Sequence, residues 1–352
     1  MPLAVGTATA GLLVLAIALV LWVDRAAGWA YDFQAYYDAA VRLRDTGTPY
    51  QAVTLGGPFQ PGPFGLYLYS PPVAVVLLPL IELGAQNAAL VWLVLRLVAF
   101  GAACWLLPVS RAVRLAAFGV AAASAPVLSD FRLGNISIFV TLLSVVAWRL
   151  FDRPGAGVAI ALSAALRPTM ALVSVNWLFR REWQPLLAMV ATGLVLFAVT
   201  LPFVGVERWF EYITVLRNAG NATGVPRNVD LGSAWLLLGG PTWAAPLALF
   251  AGYAVAVTAS LLSLRRDAEL SFVVTLMATL LLSPLLWDHY LTQLVVPAAF
   301  LASRGRYWGL GLPLLGWLPL AILPFVAIAG LLLPFLARPP PRAAPPTENH
   351  RV

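Results

Sequence analysis

Apolar segments follow one another along this chain from residue 3 almost to its end, and little polar sequence separates them. They lie at 3–23, 71–83, 86–107, 115–128, 136–148, 155–166, 168–180, 184–204, 242–264, 268–282, 290–303 and 307–336. Lipid offers the backbone no hydrogen-bond partner, so such segments cross a membrane as helices. The sequence therefore predicts an all-α polytopic membrane protein with about twelve transmembrane helices.

The composition excludes several other classes of protein. Hydrophobic residues make up 61% of the 352 positions and charged residues only 11%, against about 25% in soluble domains. The net charge of +7 comes from arginine alone, and no basic run is long enough to predict nucleic-acid binding. A single cysteine, Cys104, excludes an internal disulfide and a metal site of several thiolates.

Several apolar segments are shorter than the roughly 20 residues of a perpendicular span, which predicts broken or re-entrant helices. The first segment, Leu3 to Val23, has the apolar run of a signal peptide, but no basic residue precedes it and the run is long. We therefore predict a retained span. Proline and arginine at 338–352 predict a disordered cytoplasmic tail after a single transmembrane domain at 1–337.

Arginines in the short loops indicate orientation, because cytoplasmic loops carry an excess of them. The pairs are Arg111 and Arg114, Arg149 and Arg153, Arg180 and Arg181, Arg265 and Arg266, and Arg304 and Arg306. All are cytoplasmic if 71–83 enters the membrane without crossing, and if 155–166 and 168–180 are separate crossings that meet at Arg167. In the alternative, 71–83 crosses and 155–180 is one kinked helix, which leaves two arginine loops on the opposite side.

Two polar stretches, 24–70 and 205–232, are predicted to form extracytoplasmic loops that each carry a helix along the membrane surface. In the first, apolar residues recur at helical spacing: Phe33, Tyr36, Tyr37, Ala40 and Val41. The pattern predicts a helix with Asp32 as its N-cap and Gly47 at its end. Glycines and prolines at 56–63 then predict an irregular loop. In the second stretch, the amphipathic pattern runs from Glu207 to Arg217.

Ionisable residues at the membrane edge are costly and are therefore candidates for function. Asp32 either only caps its helix or acts as a catalytic carboxylate. His289, beside Trp287 and Asp288, is either a structural hydrogen-bonding residue or a functional one. Arg167 either reaches from a helix end toward water or binds a phosphate. The favoured topology places further polar residues on the same face: Asp38, Asp130, Arg132, Asn135, Glu207, Glu211 and Asp230.

The sequence contains none of the motifs that would indicate several other chemistries. It has no glycine-rich phosphate loop followed by lysine, no Gly-x-Ser-x-Gly elbow and no His-x-x-x-His pair. Arg96, in the middle of an apolar segment, is predicted to pair or to pack. No cofactor is predicted, although the acidic residues of the loops could bind a divalent metal.

Short motifs occur in a fixed order between about residues 29 and 300. They are Asp32-Phe33 with Tyr36-Tyr37, Tyr69-Ser70-Pro71-Pro72, Gly134-Asn135-Ile136-Ser137, Arg167-Pro168, and Ser283-Pro284 with Trp287 and His289. Together they resemble glycosyltransferase family 87, polytopic enzymes of the GT-C class that use polyprenyl-phosphate sugars. In that family Gly-Gln-x-Asn usually stands at 134–137 and Lys-Pro at 167–168, so Asn135 and Arg167 depart from its pattern.

The resemblance implies a GT-C-like fold in the plasma membrane with an active site on its extracytoplasmic face. It implies inverting transfer of mannose from polyprenyl-phosphate-mannose to a lipid-linked or envelope glycan acceptor, or alternatively transfer of arabinofuranose, as in actinobacterial cell envelopes. Asp32 would be the general base, and His289 and Arg167 would contact the donor phosphate, without a metal. Further candidates for substrate binding are Tyr36, Asn135, Trp287 and Asp288.

A polytopic lipid or sugar transporter is the competing class, since it would also carry charges within the membrane. The two elaborate loops and the absence of visible internal repeats favour the enzyme. A non-catalytic membrane subunit is a third interpretation, because Asp32 is also a residue that caps helices.

Overall fold

The computed structural model describes residues 1–24, 29–57, 66–220 and 222–337. Most of the predicted irregular loop at 56–63, and all of the predicted tail at 338–352, lie outside these ranges. Every regular element within them is helical, as predicted.

Seventeen α-helices and seven 3-10 helices make up the described chain. The α-helices are α1 Pro2–Asp24, α2 Tyr31–Thr46, α3 Ala52–Gly56, α4 Pro71–Leu77, α5 Gly84–Leu106, α6 Arg111–Ala122, α7 Ala125–Leu133, α8 Ser137–Arg149, α9 Pro154–Leu166, α10 Ser174–Arg180, α11 Trp183–Val204, α12 Glu207–Ala219, α13 Leu231–Leu237, α14 Ala245–Ser263, α15 Ala268–Leu281, α16 Val295–Ser303 and α17 Leu323–Leu332. The 3-10 helices are Leu78–Leu83, Pro168–Val173, Thr242–Ala244, Asp288–Leu294, Tyr307–Trp317, Leu320–Ile322 and Leu333–Leu336.

Four helical segments of the described chain are long and apolar enough to cross a membrane. They are Pro2–Val23, Pro71–Leu106, Trp183–Val204 and Thr242–Ser263. A fifth results if α6 and α7, which meet at 61°, form one broken span. Four more apolar helical segments have only 10–17 residues. The structure thus agrees with a polytopic helical protein that contains broken helices, whereas twelve crossings stay a prediction.

The core and the outer surface are both apolar. In α15 every residue from Leu270 to Leu281 is buried. In α11, by contrast, only 11% of the most apolar window is buried, and Leu187 and Leu194 are each 64% exposed. An apolar helix with an exposed apolar face is stable in hydrocarbon but not in water, so α11 has the surface of a lipid-facing helix.

Helix α1 packs closely against α6 through two glycines. A Cβ atom on Gly11 would lie 2.1 Å from the carbonyl oxygen of Gly119, and one on Gly119 would lie 2.1 Å from that of Thr7. Small residues let two helix backbones approach in this way, and such contacts are common between helices in membranes. Helix α1 is thereby joined to α6 through backbone contact, and its retention as a span stays a prediction.

The loops that carry arginine pairs meet at one end of the molecule. Arg149 donates a hydrogen bond to the last turn of α5 at 3.2 Å, and Arg180 donates to the carbonyl oxygen of Arg266 at 2.9 Å. Arg304 pairs with Glu269 at 2.6 Å. We call this region, formed by the loops after α5, α8, α10, α14 and α16, the arginine end. Its existence supports the topology that places these loops on one side.

The two long polar stretches and the turn at 283–290 meet at the opposite end. Thr48 of the first stretch donates to Glu211 of the second at 2.7 Å. Asn228 of the second donates to the carbonyl oxygen of Pro284 at 3.0 Å. The three stretches therefore lie on one side of the molecule, as predicted, and we call this side the loop end.

Residues 154–180 run from the arginine end to the loop end and back. Near their two ends, the indole of Trp177 donates to the carbonyl oxygen of Phe151 at 3.0 Å. Between them the chain breaks at Arg167 and Pro168, where α9 ends. This arrangement is the one expected if 155–166 and 168–180 are separate segments rather than one kinked helix.

Residues 71–83 stay beside the first polar stretch. The Tyr37 hydroxyl of α2 donates to the carbonyl oxygen of Ile81 at 3.2 Å, and Arg44 lies 3.8 Å from Glu82. Gly84, with φ 72°, ends the 3-10 helix Leu78–Leu83 and begins α5. These contacts support the prediction that 71–83 does not cross the membrane, although 71–106 is one apolar helical run by composition.

Candidate active site

Helix α2 forms where predicted and buries the predicted face. Phe33, Tyr36 and Ala40 are buried, and Gly47 ends the helix at φ 75°. The prediction that Asp32 is the N-cap is wrong. Ala30 occupies that position in a left-handed conformation. Its N–H donates a hydrogen bond to the carbonyl oxygen of Arg132 at 2.9 Å. Asp32 is thus the second helical residue, and its side chain caps nothing.

The carboxylate of Asp32 instead accepts a hydrogen bond from a neighbouring element. Asn135 Nδ2 donates to Asp32 Oδ2 at 2.6 Å, and Ser137 donates to Asn135 Oδ1 from both its N–H and its hydroxyl, at 3.0 and 2.8 Å. Gly134 makes this contact possible, because a Cβ there would lie 2.8 Å from the Cβ of Phe33. The end of α7 therefore holds Asn135 against the start of α2.

Arg167 is buried where α9 breaks, and its guanidinium is held from three sides. Nη1 donates to Gln293 Oε1 at 2.9 Å, and Nη2 donates to Ser137 Oγ at 3.0 Å. The guanidinium carbon lies 3.6 Å from the centre of the Tyr290 ring. These hydrogen bonds use two of its five N–H donors, so the oriented cation retains donors for an anionic ligand.

His289 is buried beside Asp288. Its Nδ1 lies 3.4 Å from Asp288 Oδ1, and neither ring nitrogen makes a hydrogen bond within the described residues. A buried polar atom without a partner costs about 1–3 kcal/mol, which a ligand oxygen at the ring would recover. Burial opposes the charge of Asp288, but the His289 ring, Ser129 and Arg227 outweigh it and hold the pKa of that carboxyl below its ordinary value.

One cavity of about 790 Å³ joins these side chains. All seven candidate residues predicted from the sequence line it: Asp32, Tyr36, Asn135, Arg167, Trp287, Asp288 and His289. Its apolar wall is formed by residues that include Trp22, Leu68, Leu128, Leu166, Leu216, Leu285 and Trp317. A pocket with polar groups at one part of an apolar wall suits a ligand with a polar head and a lipid chain.

The environment of Asp32 suits a base. Burial raises the pKa of its carboxyl above the ordinary value, while His289, the hydrogen bond from Asn135 and Arg96 act in the opposite direction. A carboxylate with a raised pKa is a stronger base than one in water. Asp32 nonetheless borders the open cavity, so a ligand hydroxyl is able to reach it.

Other ionisable residues predicted on this face serve the structure. Arg96 pairs with Asp130 at 2.6 Å, as predicted, and both side chains are fully buried. The backbone carbonyl oxygen of Asp130 accepts from Gly134 and Asn135. Glu211 accepts from Arg208 and Thr48. None of the described groups of His, Cys, Asp and Glu is arranged to hold a metal ion.

Sequence reasoning missed three residues of the site. Gln293 and Tyr290 hold Arg167, and Arg227 lies 3.7 Å from Asp288 at the cavity. A glutamine inside an apolar segment is a detectable signal, because such a group is costly in lipid. Arg227 gives no comparable signal, since an arginine in a polar loop is ordinary.

The profile of glycosyltransferase family 87 matches residues 67–284, more than half of the chain. The chain therefore belongs to this family of membrane glycosyltransferases, which confirms the resemblance. One relative is the polyprenol-phosphate-mannose-dependent alpha-(1-2)-phosphatidylinositol mannoside mannosyltransferase of Mycolicibacterium smegmatis, 28% identical over 225 residues, which cover 56% of this chain and 50% of the relative. This chain thus spans about half of that protein's length. No solved structure matches the present chain.

The family match includes Asn135 and Arg167 but neither Asp32 nor His289, which lie on either side of it. The structure brings the four together at one cavity. The assignment of Asp32 and His289 to a site therefore rests on geometry.

Proposed function

We propose that this protein transfers mannose, with inversion, from polyprenyl-phosphate-mannose to a hydroxyl of a lipid-linked acceptor on the extracytoplasmic face. The observation that carries this proposal is the single cavity that Asp32, Arg167 and His289 share between apolar walls. The mannose donor is taken from the Mycolicibacterium smegmatis relative, whose name states that dependence.

Asp32 is the general base of the proposed reaction. Its Oδ2 accepts from Asn135, which leaves Oδ1 for the acceptor hydroxyl. As the hydroxyl oxygen attacks the anomeric carbon, its proton passes to Asp32. General-base catalysis of this kind contributes roughly 10²–10⁴-fold to the rate.

Arg167 and His289 bind the donor phosphate. The bond between the anomeric carbon and the phosphate oxygen breaks in the same step, and its electron pair leaves with polyprenyl phosphate. Donors already oriented toward this growing charge need no reorganisation during the reaction, and each is worth roughly 3 kcal/mol. Attack opposite the leaving phosphate inverts the anomeric centre.

The test compares Asp32→Asn with Asp38→Asn in purified protein reconstituted with polyprenyl-phosphate-mannose and phosphatidylinositol mannoside. Asp38 lies on the same helix, and its carboxylate accepts a hydrogen bond from the Gln34 side chain at 2.7 Å. Asp32→Asn keeps the side-chain shape but loses the base, so transfer should fall about 100-fold or more. Asp38→Asn should retain transfer, and both variants should melt near the wild-type temperature.

Three results would overturn the proposal. Near-normal transfer by Asp32→Asn would remove the base from the mechanism. Consumption of polyprenyl-phosphate-arabinose in preference to the mannose donor would assign the enzyme to the alternative sugar, and movement of the donor across the bilayer without transfer would indicate a transporter.

A further inference from the structure

Three buried side chains, Arg167, Ser137 and Asn135, and the half-buried Asp32 form a continuous series of hydrogen bonds between the two ends of the site. Arg167 Nη2 donates to Ser137 Oγ at 3.0 Å, Ser137 Oγ donates to Asn135 Oδ1 at 2.8 Å, and Asn135 Nδ2 donates to Asp32 Oδ2 at 2.6 Å. Ser137 and Asn135 are 0% and 3% exposed, so bulk water does not compete for these bonds.

The direction of each bond follows from the chemistry of the groups. A guanidinium only donates, so Ser137 Oγ must accept from Arg167 and direct its one proton to Asn135. The N–H of Ser137 also donates to Asn135 Oδ1, which fixes the amide with its oxygen toward Ser137. Asn135 Nδ2 therefore faces Asp32, and all three bonds point from the cation to the carboxylate.

We propose that Asn135 and Ser137 are positioning residues that couple the general base Asp32 to the donor-phosphate arginine, Arg167, through this chain. The inference rests on the proposed function, since it takes those two roles as given. Asn135 was predicted above as a substrate-binding candidate. Its oxygen is occupied by Ser137, and one N–H is bonded to Asp32, so its main role here is to orient the base.

Through this series of hydrogen bonds, binding of the sugar donor at Arg167 changes the basicity of Asp32 toward the acceptor. Hydrogen bonds in a series polarise one another, so the charge of Arg167 strengthens the bond that Asn135 donates to Asp32. A donor phosphate at Arg167 neutralises part of that charge. The bond to Asp32 then weakens, and the carboxylate becomes a stronger base when the sugar donor is present.

The test is the pH profile of transfer by Ser137→Ala. Without the serine hydroxyl the stabilisation of the carboxylate weakens, so its pKa rises and the acid limb of the profile should move up by about 0.5–1 pH unit. Below the limb the rate should fall several-fold, and it should return toward the wild-type rate on the alkaline side. Ser144→Ala is the matched control, because Ser144 is an equally buried serine of α8 that bonds neither Asn135 nor Arg167. Its hydroxyl accepts from Gln293 at 3.3 Å, so the control also measures a disturbance that reaches Arg167 only through Gln293.

Other charged and titratable groups also face Asp32 and stay in place in each variant. They are His289, Asp288 and Tyr290 from the turn, Arg96 from α5, Asp130 from α7, and Tyr36 and Tyr69 from the first polar stretch. A difference between the profiles of Ser137→Ala and Ser144→Ala therefore belongs to the hydroxyl of Ser137.

Asn135→Asp provides a second measurement. It places a carboxylate in contact with Asp32, and because two like charges there oppose ionisation, the acid limb should move up further than in Ser137→Ala. Equal loss of rate at every pH in Ser137→Ala, or a profile identical to that of Ser144→Ala, would overturn the coupling. If Asp32→Asn is inactive while these profiles do not move, only the coupling fails; if Asp32→Asn is active, the proposed function fails.

Discussion

Asp32 is the proposed general base, and two opposing effects of its surroundings set the pKa of its carboxyl. Burial favours the neutral carboxyl, whereas the neighbouring His289, the hydrogen bond from Asn135 and Arg96 favour the carboxylate. The balance leaves a raised pKa, and hence a stronger base, in contact with the cavity. As an N-cap, the carboxylate would accept hydrogen bonds from backbone N–H groups. As the second helical residue, it keeps its oxygens available for the proposed chemistry.

Arg167 and His289 should act on one leaving group, and a double-mutant cycle tests this. Each alanine variant should lower transfer, but together they should cost less than the sum of the two effects, because both stabilise the same phosphate charge. Arg167→Lys keeps the charge without the planar fork and should retain more transfer than Arg167→Ala. The measurement is kcat/KM for the polyprenyl-phosphate donor.

Arg153→Ala paired with His289→Ala is the control for this cycle. Arg153 is exposed at the arginine end, so its effect should be small and additive with that of His289. Simple additivity for Arg167 and His289 as well would assign them to separate sites.

The docking of α7 onto α2 depends on one glycine. Gly134 has φ 77°, and a Cβ there would clash with Phe33, whereas Gly47 has φ 75° with nothing within 4 Å of its added Cβ. Alanine at either position costs about 1–2 kcal/mol of backbone strain. Only Gly134→Ala should also push Asn135 away from Asp32, so it alone should lose transfer strongly, while thermal melting shows a loss for both. Equal activity of the two variants would contradict this role for Gly134.

The helices were predictable where the local pattern decides them. The amphipathic spacing of α2, its end at Gly47 and the break at Arg167 are all visible in the sequence. The start of α2 was not, because Ala30 is in a left-handed conformation and donates its N–H to a carbonyl oxygen near the end of α7. That contact joins residues about a hundred positions apart, and no local propensity encodes it.

The residues that line the cavity were partly predictable from the sequence, but the hydrogen bonds among them were not. Costly polar residues at the membrane edge and the resemblance to a family indicated Asp32, Arg167 and His289. The contacts of Ser137 and Gln293 with Arg167 depend on how α8 and the turn before α16 face α9. The sequence contains no direct record of which helix faces meet.

Across the whole molecule, the arginine pairs of the short loops and the cavity lie at opposite ends. Arginine pairs occupy one end, and the polar stretches with the cavity occupy the other. Cytoplasmic loops are rich in arginine, so this separation predicts that the cavity opens to the extracytoplasmic side. A polyprenyl-phosphate sugar would then enter from the lipid with its head at the loop end.

Cysteine labelling of intact cells tests this orientation. In a Cys104→Ser background, which removes the chain's one, buried, thiol, single cysteines should replace exposed residues at both ends. Thr46→Cys and Glu207→Cys, at the loop end, should react with a membrane-impermeant maleimide, and Ser110→Cys and Ser303→Cys, at the arginine end, should react only after the membrane is permeabilised. Labelling of Ser303→Cys in intact cells would reverse the orientation. Labelling of Ser110→Cys alone would instead restore the alternative in which 71–83 crosses the membrane.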